Sequence, residues 1–121
     1  MNKIRLVDQL ARIHEHWSPK IVGELNGQHV KLAKVEGAFD WHLHEDEDEL
    51  FLVLAGDLRI EFRDAVVELG VGELLIVPRG VEHRPVAERE ASILLFEPVT
   101  TRNTGNVVTE RTVEELERFD R

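Results

Sequence analysis

The run Trp41-His42-Leu43-His44-Glu45-Asp46-Glu47-Asp48-Glu49, joined by His83 further along the chain, carries residue types that hold a metal ion. Two histidines two apart on an extended segment put both imidazoles on one face. The acidic stretch Glu45–Asp48 then lets Glu49 return on the next strand, within cross-strand reach of His44. His83 follows a Pro78-Arg79-Gly80 turn and closes the group from a further strand. Neutral imidazoles and a carboxylate suit a divalent transition metal such as zinc, manganese, iron or nickel. Burying these groups is costly unless something compensates them, and a cation does so. Octahedral binding by four protein groups leaves positions for water, substrate or dioxygen, whereas a tetrahedral site is closed and structural. Binding needs neutral histidine and ionised glutamate, so affinity should fall as pH drops through the histidine range.

Strands must position these groups, and the middle of the chain supplies them. Asn26-Gly27 is a strong hairpin signal because both positions accept positive φ, and it predicts a turn between Lys20–Leu25 and Gln28–Val35. Phe39–His44 and Glu49–Leu54 are the strands expected to carry the ligands. Beyond Glu49 both faces of the latter are apolar, as in a strand buried on both sides. Leu58–Phe62 alternates apolar and polar residues, and Val66–Leu69, Leu74–Val77, Val81–Pro85 and Ala91–Glu97 complete the set. Short strands with Gly and Pro between them predict an antiparallel sandwich or barrel. At the ends, Val7–His14 has helical spacing. Thr112 and Glu115 form a capping-box pattern that predicts a short helix through about Phe119.

The chain of 121 residues fits one domain, 1–121, with its core barrel at about 28–98. A net charge of −9 argues against nucleic acid or an anionic membrane as partner. With no cysteine, disulfides and thiolate metal sites are excluded. The N-terminus lacks the apolar run of a signal peptide, and Leu50–Ala55 is far too short to span a membrane. The expected location is cytoplasmic.

Gly37-x4-His42-x-His44-x4-Glu49-x6-Gly56 resembles the first cupin motif, and Gly72-x5-Pro78-x-Gly80-x2-His83 resembles the second. The resemblance implies an all-β fold, a small double-stranded β-helix or jelly-roll barrel, here with short terminal helices. It also implies His42, His44, Glu49 and His83 as metal ligands. Two departures are visible: the first glycine sits one residue closer to the histidines than usual, and Ala87 stands where the second motif usually ends in asparagine. The latter removes a polar group near the site but leaves the ligands intact. Small cupins commonly pair, so a homodimer is expected.

Other candidates carry less. His14-Glu15-His16 repeats the spacing without a glutamate-bearing hairpin and is better read as a surface pair. His29 lies on a strand and is most simply packed or exposed. The acidic run lacks the ligand spacing and turn glycine of a calcium loop. Phe51, Phe62, Ile76 and Phe96 could line the cup but are more often core. Arg59, Arg63, Arg79 and Arg84 are the residues that could meet an anionic substrate, and a solvated face is the simpler reading for Arg59 and Arg63. The leading functional expectation is a metal-dependent enzyme acting on a small organic molecule, of isomerase or oxygenase type. The alternatives are a non-catalytic, metal-dependent module that binds a small ligand, and a structural metal site.

Overall fold

The computed structural model describes all residues, 1–121. After a short helix α1 (Leu6–Leu10) come β1 (Lys20–Leu25), β2 (Gln28–Ala38), β3 (Glu49–Ala55), β4 (Leu58–Phe62), β5 (Val66–Leu69), β6 (Leu74–Val77) and β7 (His83–Pro98). The β1–β2 hairpin turns on Asn26 and Gly27 at φ 50° and 76°, the pair of positive values that a two-residue turn requires.

All pairing is antiparallel, in the order β1-β2-β7-β3-β6, with β4 joined to β7 and β5 to β4. The long strand β7 closes the barrel. Its second half pairs with β2 on one side and β3 on the other, from Ala91↔Val35 to Phe96↔Leu50. Its first half pairs with β4, from His83↔Phe62 to Val86↔Arg59. The exposed residues Glu88-Arg89-Glu90 carry the chain from its pairing with β4 to its pairing with β3. Ala33, Val35, Phe51, Val53, Leu58, Ile60, Ile93 and Leu95 point inward and form the core. Period two along each strand brings them to one face. On the outside, Ile13, Val22 and Leu32 pack with Leu6, Leu10 and Phe119 in a smaller cluster.

Five expectations are corrected. The segment Phe39–His44 is no regular strand; only His42 bridges, to His83. Val81–Pro85 and Ala91–Glu97 belong to one strand, β7. The leucines of β3 are half-buried rather than sealed on both sides. No C-terminal helix forms from Thr112, because tertiary partners take the groups it needs. The Thr112 hydroxyl bonds Thr104 at 2.6 Å and accepts Thr109 N–H at 2.9 Å, and Val113 N–H donates to Asn103 Oδ1 at 2.9 Å. The chain then docks extended on β1, with Phe119 N–H donating to Ile21 O at 2.7 Å. At the other end α1 is shorter than the expected Val7–His14.

Candidate metal centre

His42 and His44 lie on the irregular segment after β2, Glu49 opens β3 and His83 opens β7. Without a strand ladder to hold it, the histidine segment is tied at each residue. His42 and His83 exchange backbone bonds of 3.0 and 2.9 Å, and Gly80 N–H donates to His44 O at 2.7 Å. Leu43 N–H donates to Asn106 Oδ1 at 2.9 Å, and Asn106 N–H donates to Leu43 O at 3.0 Å. Gly105, at φ 57°, makes room for this clamp: a Cβ there would sit 2.2 Å from Leu43 O.

One ligand atom from each of His42, His44, Glu49 and His83 lies within 4.8 Å of the others. All four residues are buried, and His83 is wholly so. His42 Nδ1–H donates to Asp40 O at 2.8 Å, and His83 Nδ1–H donates to Val81 O at 2.9 Å. Those bonds occupy Nδ1 of each ring and leave Nε2 as the nitrogen available to a metal. Glu49 Oε1 lies 3.3 Å from Nε2 of both His44 and His83.

Burial raises the Glu49 carboxyl, but the His44 and His83 rings set against it outweigh that and hold the group well below the ordinary range. Burial and the neighbouring His83 push His42 down to about 4. The site thus keeps an ionised glutamate beside a neutral histidine, the protonation states that a bound cation requires. Both ring nitrogens of His44 are buried without a well-formed hydrogen bond. An orphaned imidazole facing a buried carboxylate is a costly arrangement that a cation at the centre would satisfy. The donor set and its geometry therefore fit a divalent transition metal.

A cavity of about 40 Å³ adjoins the group, with His42 and Glu49 in its wall. Trp17, Phe39, Phe51, Ile93 and Leu95 supply the apolar surface, and Glu97 and Asn103 add polar groups. Of the aromatic and aliphatic candidates, Phe51 lines this space. Ile76 is exposed, Phe96 is half-buried on the other side of β7, and Phe62 packs against the core.

None of the four arginines faces the cavity. Arg59 and Arg84 bind Glu61, Arg63 binds Glu82, and Arg79 clamps Asp48 at 3.1 Å. Asp48 is thereby a support for the Pro78–Gly80 turn, accepting Arg79 N–H at 2.9 Å as well. His14 is exposed and His16 pairs with Glu90 at 2.7 Å, away from the centre. His29 is buried beside Glu24 at 3.3 Å.

Residues that sequence reasoning missed are Lys31 and Glu97, whose side chains pair at 2.7 Å inside the barrel. Strand parity was the available signal. Ile93, Leu95 and Glu97 share the inward face of β7, and a charge at a core position asks for a partner.

Residues 28–97 match the model of the cupin domain. The chain is 37% identical over 84 residues to the uncharacterized protein YdbB of Bacillus subtilis, covering 69% of this chain and 72% of that protein. A cupin-2 domain containing protein from Shewanella frigidimarina superposes with a TM-score of 0.78 at 45% identity, covering 78% of this chain and 93% of that one. Protein NMB1881 from Neisseria meningitidis gives 0.74 at 34% identity, covering 80% and 99%. With this barrel, these motifs and these relatives, the chain belongs to the cupin family.

Proposed function

We propose that the protein is a metal-dependent enzyme acting on a small organic molecule, with His42, His44, Glu49 and His83 as metal ligands. The observation that supports it most is that two of the four, His42 and Glu49, stand in the wall of a cavity that adjoins the buried group. A bound divalent metal supplies Lewis-acid or oxygen-activating chemistry. This chain's own residues do the rest. His42 and His83 are held at Nδ1 by Asp40 O and Val81 O. Trp17, Phe39 and Phe51 make that side of the centre largely apolar, and a low-dielectric surrounding strengthens charge interactions. Isomerisation and oxygenation both fit such a site. A phosphorylated substrate fits poorly, since the arginines are paired elsewhere.

The test is metal reconstitution followed by a turnover screen. Protein stripped with a chelator and reloaded with iron, manganese, nickel or zinc should take up one ion per chain. It is then screened under air and under nitrogen with small alcohols, diols, aldehydes, ketones and phenols. Uptake without any turnover would favour a metal-dependent binding module; no uptake would refute the metal centre.

We also propose that two copies pair through the outer face of the larger sheet. Val30, Phe96, Leu50 and Ile76 stand in one row across four strands, and Leu94, Leu52 and Leu74 stand in the next. Leu74 and Ile76 are exposed on β6, which ends the sheet order and leaves a free edge. A second copy covers both the apolar rows and that edge. Light scattering should give twice the chain mass, and Ile76→Lys should halve it. A monomeric parent at micromolar concentration would refute the pairing.

A further inference from the structure

The ligand group borders two spaces of opposite character. On one side, His42 and Glu49 line the cavity of about 40 Å³ walled by Trp17, Phe39, Phe51 and Leu95. Such a space holds roughly three waters, and a hydrated ion passing through it would lose its water among apolar groups. On the other side, His44 stands in the wall of a cleft of about 390 Å³ that has no hydrophobic residue and is formed with Glu45, Asp46, Glu47, Thr100 and Arg102. Glu45 and Asp46 are exposed, and their carboxylates make no hydrogen bond or ion pair. Glu47 accepts only Thr100 Oγ1–H, at 2.9 Å. The one cation in the wall, Arg102, is engaged: its Nε donates to Gly105 O at 2.9 Å, and its Nη1 lies 3.7 Å from Glu114. The cleft therefore carries negative charge that the protein does not compensate.

His44 ties this charge to the centre. Its side chain is 2% exposed, and its Nε2 faces Glu49 at 3.3 Å. Its Nδ1 is buried without a partner, whereas His42 and His83 are anchored at the same atom by Asp40 O and Val81 O. Of the three rings, His44 is thus the one that no bond at Nδ1 holds, and it is the one that lines the acidic cleft.

We propose that this cleft is the port through which a hydrated divalent cation reaches the centre: Glu45, Asp46 and Glu47 gather the ion, and His44 is the first ligand it meets. The proposal rests on the metal-centre reading and adds the route. Carboxylates around a cleft concentrate cations and raise association rates by about 10- to 1,000-fold. These three act on the approach of the ion and are not its final ligands, so their loss slows uptake without changing how many ions are held. The unanchored His44 ring turns to the cleft to take the ion and returns with it to the centre.

Full-length protein, stripped and then freed of chelator, is mixed with Co2+ by stopped flow, and uptake is followed by its visible absorbance. At about 0.1 M salt, where charges are screened beyond about 10 Å, Glu45→Gln/Asp46→Asn/Glu47→Gln should take up the ion about tenfold more slowly than the parent. The gap should close to within about twofold near 1 M salt. Thr100→Lys sets an ammonium beside Glu47 and should slow uptake about threefold; it decides the matter if the triple variant does not fold. Asp57→Asn/Glu68→Gln/Glu73→Gln removes the same charge from exposed positions around a separate cleft that has no histidine, and its rate should stay within about twofold of the parent. Equal rates in the parent and the cleft variants, or equal slowing by the control, would overturn the route, while one Co2+ per chain by elemental analysis leaves the metal centre standing. A parent that takes up no Co2+ at equilibrium would instead overturn the metal centre, and the route with it.

Discussion

Replacing Lys31 by Met removes the ammonium from the Lys31–Glu97 pair while keeping most of the side chain's volume. Both partners are at most 2% exposed, so water cannot take the place of the missing charge. Breaking a buried pair in this way costs about 3–5 kcal/mol, because the remaining charge is left uncompensated. Here a proton offers partial relief. Burial and the charge of Glu49 already push the Glu97 carboxyl well above its ordinary range, and Lys31 is the influence that opposes them. Without Lys31 the carboxyl rises further and protonates in the folded state. A group whose folded pKa is raised binds more protons folded than unfolded, so its contribution to stability falls as pH rises above the unfolded value. The Lys31→Met protein should therefore lose about 3 kcal/mol at pH 8 and less as the pH is lowered. Urea denaturation of parent and variant in chelator, at pH 8 and at lower pH, measures the difference with the histidine titrations common to both. Lys31→Met/Glu97→Leu should recover to within about 1 kcal/mol of the parent, since apolar pairs replace buried ion pairs at little cost. A single variant within 0.5 kcal/mol of the parent at pH 8, or a double variant no better than the single, refutes the reasoning.

His44→Ala should reduce bound metal to well below one ion per chain and cancel the stabilisation that added metal gives, whereas His14→Ala should change neither; elemental analysis and melting curves read both. His42 is held at about 4 in the folded state against 6.5 ordinarily. Its contribution is thus complete above pH 6.5 and is lost as pH falls toward 4, about 3 kcal/mol in the metal-free protein. A His42→Gln variant should show a correspondingly flatter stability profile across that window in chelator. Gly105→Ala places a Cβ against Leu43 O and forces the histidine segment to move; it should weaken metal affinity at least tenfold by titration, and unchanged affinity would show that the clamp does not position the ligands.

The ligand group was legible because its parts are spelled in residue types and spacings that few other arrangements use. His42, His44 and His83 sit beside turns marked by glycine or proline, and Glu49 begins a run whose parity places it inward. The strands from Leu58 to Val77 were equally legible, since alternation and turn residues agree there. What failed was local reading where tertiary partners decide. The capping-box pattern at Thr112 predicts a helix, yet Thr104, Asn103 and Ile21 claim the same hydroxyl and backbone groups. Glu88-Arg89-Glu90 reads as a break between strands, yet continuous extension is what lets one strand pair with β2, β3 and β4. The Gly105–Leu43 approach joins residues far apart in sequence and leaves no local mark beyond the glycine itself.

Strand β7 imposes an order on the birth of the molecule. Its partners β2, β3 and β4 are all made earlier, and antiparallel pairing with residues 83–98 is what joins them. A nascent chain leaving the ribosome therefore holds hairpins but no closed barrel until its last strand appears, and the non-local closure makes that step slow. His42 and His44 emerge well before His83, so the proposed metal-binding group is incomplete until then. On the proposed reading, loading and closure belong to the same late event, and a chain truncated before residue 83 should hold neither shape nor ion.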